Sequence, residues 1–288
     1  MPELPEVETV RRGLSSVLPG KKIIGFESDW AKAHNRPVAD YCRVLKGKKL
    51  LKVDRRGRLL ILEAEGGWSL LVHLKMTGQL VFRDHRHCLI GGHPIEQSCQ
   101  SLPNKFTHAI ISFSDQSRLF FNDVRKFGWV RLYNAAERVK TIERMNLGPE
   151  PLSREFSLDY FKSMVAKRPR SKVKVFLMDN KVVVGVGNIY SDEVLFRARV
   201  MPSRMVGSLR VKEVELLHDG IKKILTAAIK AQGTTFSNYV NSNGEAGAYT
   251  KKLKVYGRYG EKCFKCKGEV ARLKIGGRTS SFCPSCQR

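Results

Sequence analysis

The chain has 288 residues, 42% of them hydrophobic, which is an ordinary share for a folded globular protein and argues against disorder. Its 52 Lys and Arg against 27 Asp and Glu leave a formal charge of +25, a field that attracts polyanions and favours nucleic acid over small neutral ligands. No run approaches the roughly 18 apolar residues of a membrane span. The acidic start Met1-Pro2-Glu3-Leu4-Pro5-Glu6 lacks the basic region of a signal peptide, so an intracellular protein is expected.

Leu4, Val7, Val10, Leu14 and Leu18 recur every three or four residues and predict a helix ended by Pro19-Gly20. Short β-rich runs follow at Leu59–Leu62, Ser69–Leu74, Ala109–Phe113, Arg118–Phe121 and Trp129–Tyr133, the pattern of a sandwich or barrel. The polar stretch 83–105 reads as one long loop. After Gly148-Pro149-Glu150-Pro151 the character turns helical, with helices expected over Ser157–Val165, Lys172–Asp179, Ile189–Arg197 and Val211–Ala231. The resulting fold class is α+β. Its expected parts are an N-terminal β-rich domain over 1–133, a linker over 134–152, a helical domain over 153–250 and a C-terminal module over 251–288.

In that module Lys and Arg far outnumber the acidic Glu261 and Glu269. Cys263-x-x-Cys266 and Cys283-x-x-Cys286 stand sixteen residues apart, the spacing of a closed four-thiolate zinc site. With no open coordination position, one Zn²⁺ there is structural. The turn Gly276-Gly277-Arg278-Thr279 between the pairs offers Arg278 to a phosphate. An odd total of seven cysteines argues against a disulfide framework and for a reducing compartment. Cys42, Cys88 and Cys99, with His85, His87 and His93, read as loop residues in preference to a second metal site.

At the other end, Pro2 suits a helix start because it has no N–H to orphan, and Glu3, Glu6 and Glu8 complement the helix dipole. Helix-start chemistry accounts for these residues by itself. Removal of Met1 would add a function by exposing a secondary amine on Pro2. The positive end of the helix disfavours the protonated amine, and the free amine is a nucleophile with a carboxylate, Glu3, beside it for proton transfer.

The segments Pro2-Glu3-Leu4-Pro5-Glu6-Val7-Glu8, His73-Leu74-Lys75-Met76-Thr77-Gly78, Asp123-Val124-Arg125-Lys126-Phe127-Gly128 and Gly185-Val186-Gly187-Asn188-Ile189-Tyr190, followed by the cysteine hairpin, run in order over essentially the whole chain. Together they resemble the formamidopyrimidine-DNA glycosylases. The resemblance implies an N-terminal β-sandwich with a leading helix, a helix–two-turn–helix domain and a zinc-finger hairpin, with damaged double-stranded DNA held in a cleft between them. It implies a bifunctional glycosylase and AP lyase that excises oxidised purines (8-oxoguanine, formamidopyrimidines) and cuts by β,δ-elimination. Pro2 would form the Schiff base, Glu3 would shuttle protons on the ribose, and Glu6 would support them. Met76, Arg125 and Phe127 would fill the space of the extruded nucleotide, with Arg125 facing the orphaned cytosine. His73 falls in the same DNA-contacting set. Lys174, Asn188 and Arg278 would hold flanking phosphates, and Arg278 is counted with the catalytic group.

Two departures stand out. Arg58 replaces the lysine usual in the family; it is placed with the catalytic residues, although an arginine does not readily give up a proton. The stretch 83–105 is longer than the family pattern. A covering loop is expected near Thr234–Tyr249, matched at Gly233-Thr234-Thr235 and Tyr239. Two other readings remain: an endonuclease VIII-like enzyme for oxidised pyrimidines, and a non-catalytic zinc-ribbon nucleic-acid-binding protein. The expected state is a monomer in the cytoplasm or nucleoid, with no membrane partner.

Overall fold

The computed structural model describes residues 2–93, 99, 101–234 and 248–288. Two compact units divide the chain. The first draws on Met1–Met145 and Ala231–Thr250, the second on Asn146–Lys230 and Lys251–Arg288.

The first unit opens with α1 (Leu4–Ser15). Glu3 is its N-cap, and the Glu3 N–H donates to Glu6 Oε2 at 2.9 Å, so the acidic start satisfies a backbone donor at the helix mouth. The helix stops three residues before Leu18, whose N–H still donates to Leu14 O at 2.9 Å, so the turn after the helix carries the last apolar contact. Then follow β1 (Ile23–Ser28), α2 (Val38–Leu45), β2 (Leu50–Arg56), β3 (Leu59–Ala64), β4 (Trp68–His73), β5 (Gly78–Arg83), β6 (Cys88–Gly92), β7 (Thr107–Phe113), β8 (Arg118–Asp123), β9 (Trp129–Asn134) and α3 (Ala135–Arg144).

The strands form two antiparallel sheets, ordered β1-β7-β8-β5-β6 and β2-β3-β4-β9. The inner faces of both sheets bury Phe26, Phe82, Phe113, Leu60, Leu62 and Leu70 in one core with Val7, Val10 and Leu14 of α1. This is a sandwich with a leading helix, and burial of the apolar stripe fixes that helix against the strands. The continuous apolar run of β3 has a second cause. Leu59 and Ile61 face the other way and pack with Leu71, Trp129 and Ile142 of α3, so β3 is covered on both sides. The stretch 134–152 therefore holds a helix, capped by Asn134, whose side chain accepts from Glu137 N.

The expected long loop 83–105 is corrected in two ways. Cys88–Gly92 is a strand on the edge of the five-stranded sheet, and Cys88 is disulfide-bonded to Cys99. The run Cys-Leu-Ile-Gly-Gly has no alternation to announce a strand; it pairs because β5 offers its free edge. The bond also removes Cys88 and Cys99 from any metal-ligand reading.

The second unit contains α4 (Leu158–Lys167), α5 (Val173–Met178), α6 (Asn188–Ala198), α7 (Val211–Lys230) and the hairpin of β10 (Ala271–Ile275) with β11 (Arg278–Phe282). Ser157 caps α4, and Arg199 in the left-handed region ends α6. Val214, Leu217, Ile221, Ile224, Ala228 and Ile229 lie on the buried face of α7, as their spacing predicts. Among the described residues, no helix is long and apolar enough to cross a membrane.

Candidate active site and nucleic-acid interface

The mouth of α1 gathers Pro2, Glu3 and Glu6, all buried. Glu6 is doubly engaged: Oε2 accepts from Glu3 N, and Oε1 accepts from Thr234 N at 2.8 Å and Thr234 Oγ1 at 3.1 Å. Gly233, at φ +85°, makes this approach feasible, since a Cβ there would lie 2.8 Å from Glu6 Oε1. Glu6 thus ties the segment after α7 to the start of α1. Residues 235–247, including Thr235 and Tyr239 of the expected covering loop, lie outside the described residues.

Two residues farther along α1, Glu8 accepts from Arg11, Arg12 and Arg55 at 2.7–3.1 Å. Burial works to raise its carboxyl, but the hydrogen bonds from the three arginines prevail and hold it down to about 2. The folded value is below the unfolded one, so this stability is complete above about pH 4.5 and disappears as pH falls toward 2. Glu8→Gln is expected to cost about 2–3 kcal/mol at neutral pH. Urea denaturation midpoints of the two proteins should converge as pH approaches 2; a constant gap across that range contradicts the assignment.

Asp123 is fully buried at the end of β8 and organises two turns at once. Oδ1 accepts from Thr77 Oγ1 and from Arg125 N (3.1 Å), and Oδ2 accepts from Phe127 N (2.9 Å) and Gly128 N (2.6 Å). Gly128 is required by close approach, because a Cβ would sit 2.7 Å from the Phe121 ring and 2.9 Å from His73 O. Lys75 and Lys126 both take positive φ in these turns. The result places three predicted residues together at the surface: Arg125 Nη1 lies 3.4 Å from Met76 Sδ, and its guanidinium stacks 4.6 Å from the Phe127 ring centre. Met76 and Phe127 are 39% and 50% exposed, against the expectation for apolar side chains with core roles. Asp123 heads this motif in the sequence, but nothing in the residue types marks it as the side chain that shapes both turns.

His73 Nδ1 accepts from Lys75 N at 3.0 Å. Burial, with the nearby charges of Lys75 and Arg58, pushes the imidazole down to about 3, so the ring is neutral and its Nε2 carries the proton. Arg58 is half-buried in the turn between β2 and β3.

In the second unit, Asp192 is the counterpart of Asp123. It is fully buried, and its Oδ1 accepts from Lys174 Nζ at 2.6 Å and from Ser280 Oγ, its Oδ2 from Ser281 N at 2.8 Å. Lys174, expected to meet phosphate, is itself fully buried, and its Nζ also donates to Asn188 O at 2.9 Å. Gly187 occupies the N-cap of α6, and Asn188, the first helical residue, donates from Nδ2 to Thr279 O at 3.0 Å. Asn188 thereby links the Gly185–Tyr190 turn to the hairpin whose exposed Arg278 follows Gly277. Neighbouring Glu193 accepts from the backbone N–H groups of Lys254, Val255 and Tyr256 at 2.9–3.0 Å and fixes the chain entering the cysteine module.

The sulfurs of Cys263, Cys266, Cys283 and Cys286 all lie within 4.8 Å of one another, with Cys266 and Cys283 at 3.4 Å and Cys263 and Cys286 at 4.0 Å. Zinc–sulfur bonds of about 2.3 Å in a tetrahedron put sulfurs roughly 3.8 Å apart, so the donor set and its size fit a metal ion.

Comparison with known proteins agrees with this geometry. The formamidopyrimidine-DNA glycosylase N-terminal domain matches residues 1–130, and the family's H2TH domain matches residues 147–240. Formamidopyrimidine-DNA glycosylase of Pelotomaculum thermopropionicum is 39% identical over 291 residues, covering 100% of this chain and 99% of the relative. That of Bacillus licheniformis is 39% identical over 290 residues, covering both chains fully. Crystal structures of Lactococcus lactis Fpg with N7-benzyl-Fapy-dG DNA and with oxidised-pyrimidine DNA each superpose with a TM-score of 0.88 at 33% identity over the whole of both chains. Full-length identity, both domain models and the shared fold establish that this chain belongs to the formamidopyrimidine-DNA glycosylase family.

Proposed function

We propose that the chain is a base-excision-repair enzyme, a bifunctional DNA glycosylase and AP lyase that removes oxidised purines from duplex DNA. The observation that carries this reading is the mouth of α1, where Pro2 stands beside buried Glu3 and Glu6. With Met1 removed, the Pro2 amine attacks C1′ of the damaged nucleotide. The N-glycosidic bond breaks, the base departs, and an iminium joins Pro2 to the sugar. Glu3 moves protons on the ribose, while Glu6 holds the helix start in register. Successive β- and δ-elimination then leave a one-nucleotide gap.

Extruding a nucleotide costs a few kcal/mol, and the exposed Met76, Arg125 and Phe127 offset that by occupying the vacated space, Arg125 facing the unpaired cytosine. His73, kept neutral, donates through Nε2 to the backbone there. Arg58 holds phosphate as a fixed cation and transfers no proton. Arg278 and the α6 start at Asn188 bind flanking phosphates, and Lys174 positions Asn188 from beneath. The four cysteines hold one structural Zn²⁺ that shapes the hairpin and takes no part in the chemistry. Since its substrate is genomic DNA, the enzyme works inside the cell, in the cytoplasm or nucleoid.

The direct assay compares duplexes carrying 8-oxoguanine opposite cytosine with duplexes carrying an oxidised pyrimidine. Faster release of 8-oxoguanine supports the proposal. Release from the pyrimidine duplex alone favours the endonuclease VIII-like reading, and tight binding without release from either favours a non-catalytic zinc-ribbon protein. Arg278→Ala should reduce the slope of log affinity against log salt by about 0.9, the share of one phosphate. An unchanged slope removes Arg278 from the phosphate contacts.

A further inference from the structure

We propose that the Cys88–Cys99 disulfide is a redox-reversible clasp that seats the β6 arm against the helix carrying Pro2, so that thiol reduction slows Schiff-base formation. The last clause rests on the proposed activity; the clasp itself does not.

β6 is five residues long and, among the described residues, has β5 as its one strand neighbour, an arrangement that hydrogen bonds hold weakly. What it touches is more consequential than its size. Leu89 packs against the core that contains Val7 and Val10 of α1. Gly91 lies so close to α1 that a Cβ would fall 2.8 Å from Val10 Cγ2. One residue past the strand, His93 donates its N–H to Gly78 O at 3.0 Å, and its carbonyl accepts from Gln79 Nε2 at 2.8 Å. Gly78 directly follows the turn that carries Met76. The arm therefore contacts both the nucleophile's helix and one of the DNA-facing turns.

The disulfide ties Cys99, beyond His93, back to Cys88 at the start of the strand, over a separation of 11 residues. A cross-link of this kind restricts the arm's alternatives to its seated position. Both cysteines are half-buried, within reach of a small dithiol. Arg83 is the cross-strand partner of Cys88, and Arg86 lies in the intervening turn, so cations stand ready to favour a thiolate at Cys88 once the bond opens. In the reducing step, a dithiol supplies two electrons and two protons. The S–S bond breaks, Cys88 and Cys99 become thiols, and the dithiol closes to its own disulfide. Where cellular thiols are kept reduced, a bond of this type is transient and senses redox state.

The first test is thiol labelling of the unfolded, metal-stripped protein, purified without reductant, followed by peptide mass analysis. Cys88 and Cys99 should be unlabelled and recovered in one cross-linked pair; labelling of both overturns the proposal. Hydrogen exchange and borohydride trapping are then compared for the native holoenzyme before and after dithiol treatment, and for Cys88→Ser/Cys99→Ser. Reduction should speed amide exchange in β6 and the first turns of α1 by about tenfold and slow trapping by a similar factor. The double variant should match the reduced enzyme and ignore the dithiol. A double variant that exchanges and traps like the oxidised enzyme overturns the clasp. Absence of trapping in every form, oxidised wild type included, counts against the activity, and exchange then decides the clasp alone.

Discussion

Asp123→Ala will lower the unfolding free energy by about 3–5 kcal/mol, a large part of a typical domain's stability. The carboxylate accepts from Thr77 Oγ1 and from the N–H groups of Arg125, Phe127 and Gly128, and alanine leaves those buried donors without an acceptor. The loss falls on the two turns that present Met76, Arg125 and Phe127. Discrimination between damaged and undamaged duplex should therefore collapse even at temperatures where the variant remains folded. Asp123→Asn retains one acceptor oxygen and should fall between the two proteins in both respects. Denaturant unfolding and competition binding check these outcomes; an Asp123→Ala protein with wild-type midpoint and wild-type discrimination refutes the role.

Pro2→Gly will slow strand cutting by about 100-fold under single-turnover conditions, while affinity for damaged duplex changes by less than about threefold. Glycine keeps an α-amine at the chain start but exchanges a secondary amine in a fixed ring for a flexible primary one, so the nucleophile loses its preset orientation against Glu3. The separation of rate from binding is the informative part. Loss of binding in step with rate would assign Pro2 to helix architecture, and an unchanged rate would exclude it as nucleophile.

Much of this could be read from residues alone where periodicity or spacing carries the information. The apolar stripe of α7 and the paired CxxC turns were legible because 3.6-residue repetition and thiolate spacing each have one simple structural solution. β6 was not, since a five-residue run with two glycines becomes a strand only when a neighbouring edge is available. The Cys88–Cys99 bond was likewise hidden, because residue types do not reveal which thiols meet. Lys174 looked like a phosphate ligand; its burial follows from Asp192, eighteen residues later and one helix away, a pairing that only the packed structure creates. The bond from the Asn188 amide to Thr279 O was hidden in the same way, since it joins residues 91 apart in the chain. The role of Asp123 was hidden for a related reason. An aspartate at the end of a strand reads as an ordinary turn residue until its four donors converge on it.

Borohydride reduction during turnover of a duplex with 8-oxoguanine opposite cytosine decides whether Pro2 is the nucleophile of a glycosylase acting on oxidised purine. A Pro2 nucleophile gives a covalent protein–DNA adduct whose peptide map places the sugar remnant on the nitrogen of Pro2. An adduct on a lysine, or efficient excision of 8-oxoguanine with no adduct, would contradict it.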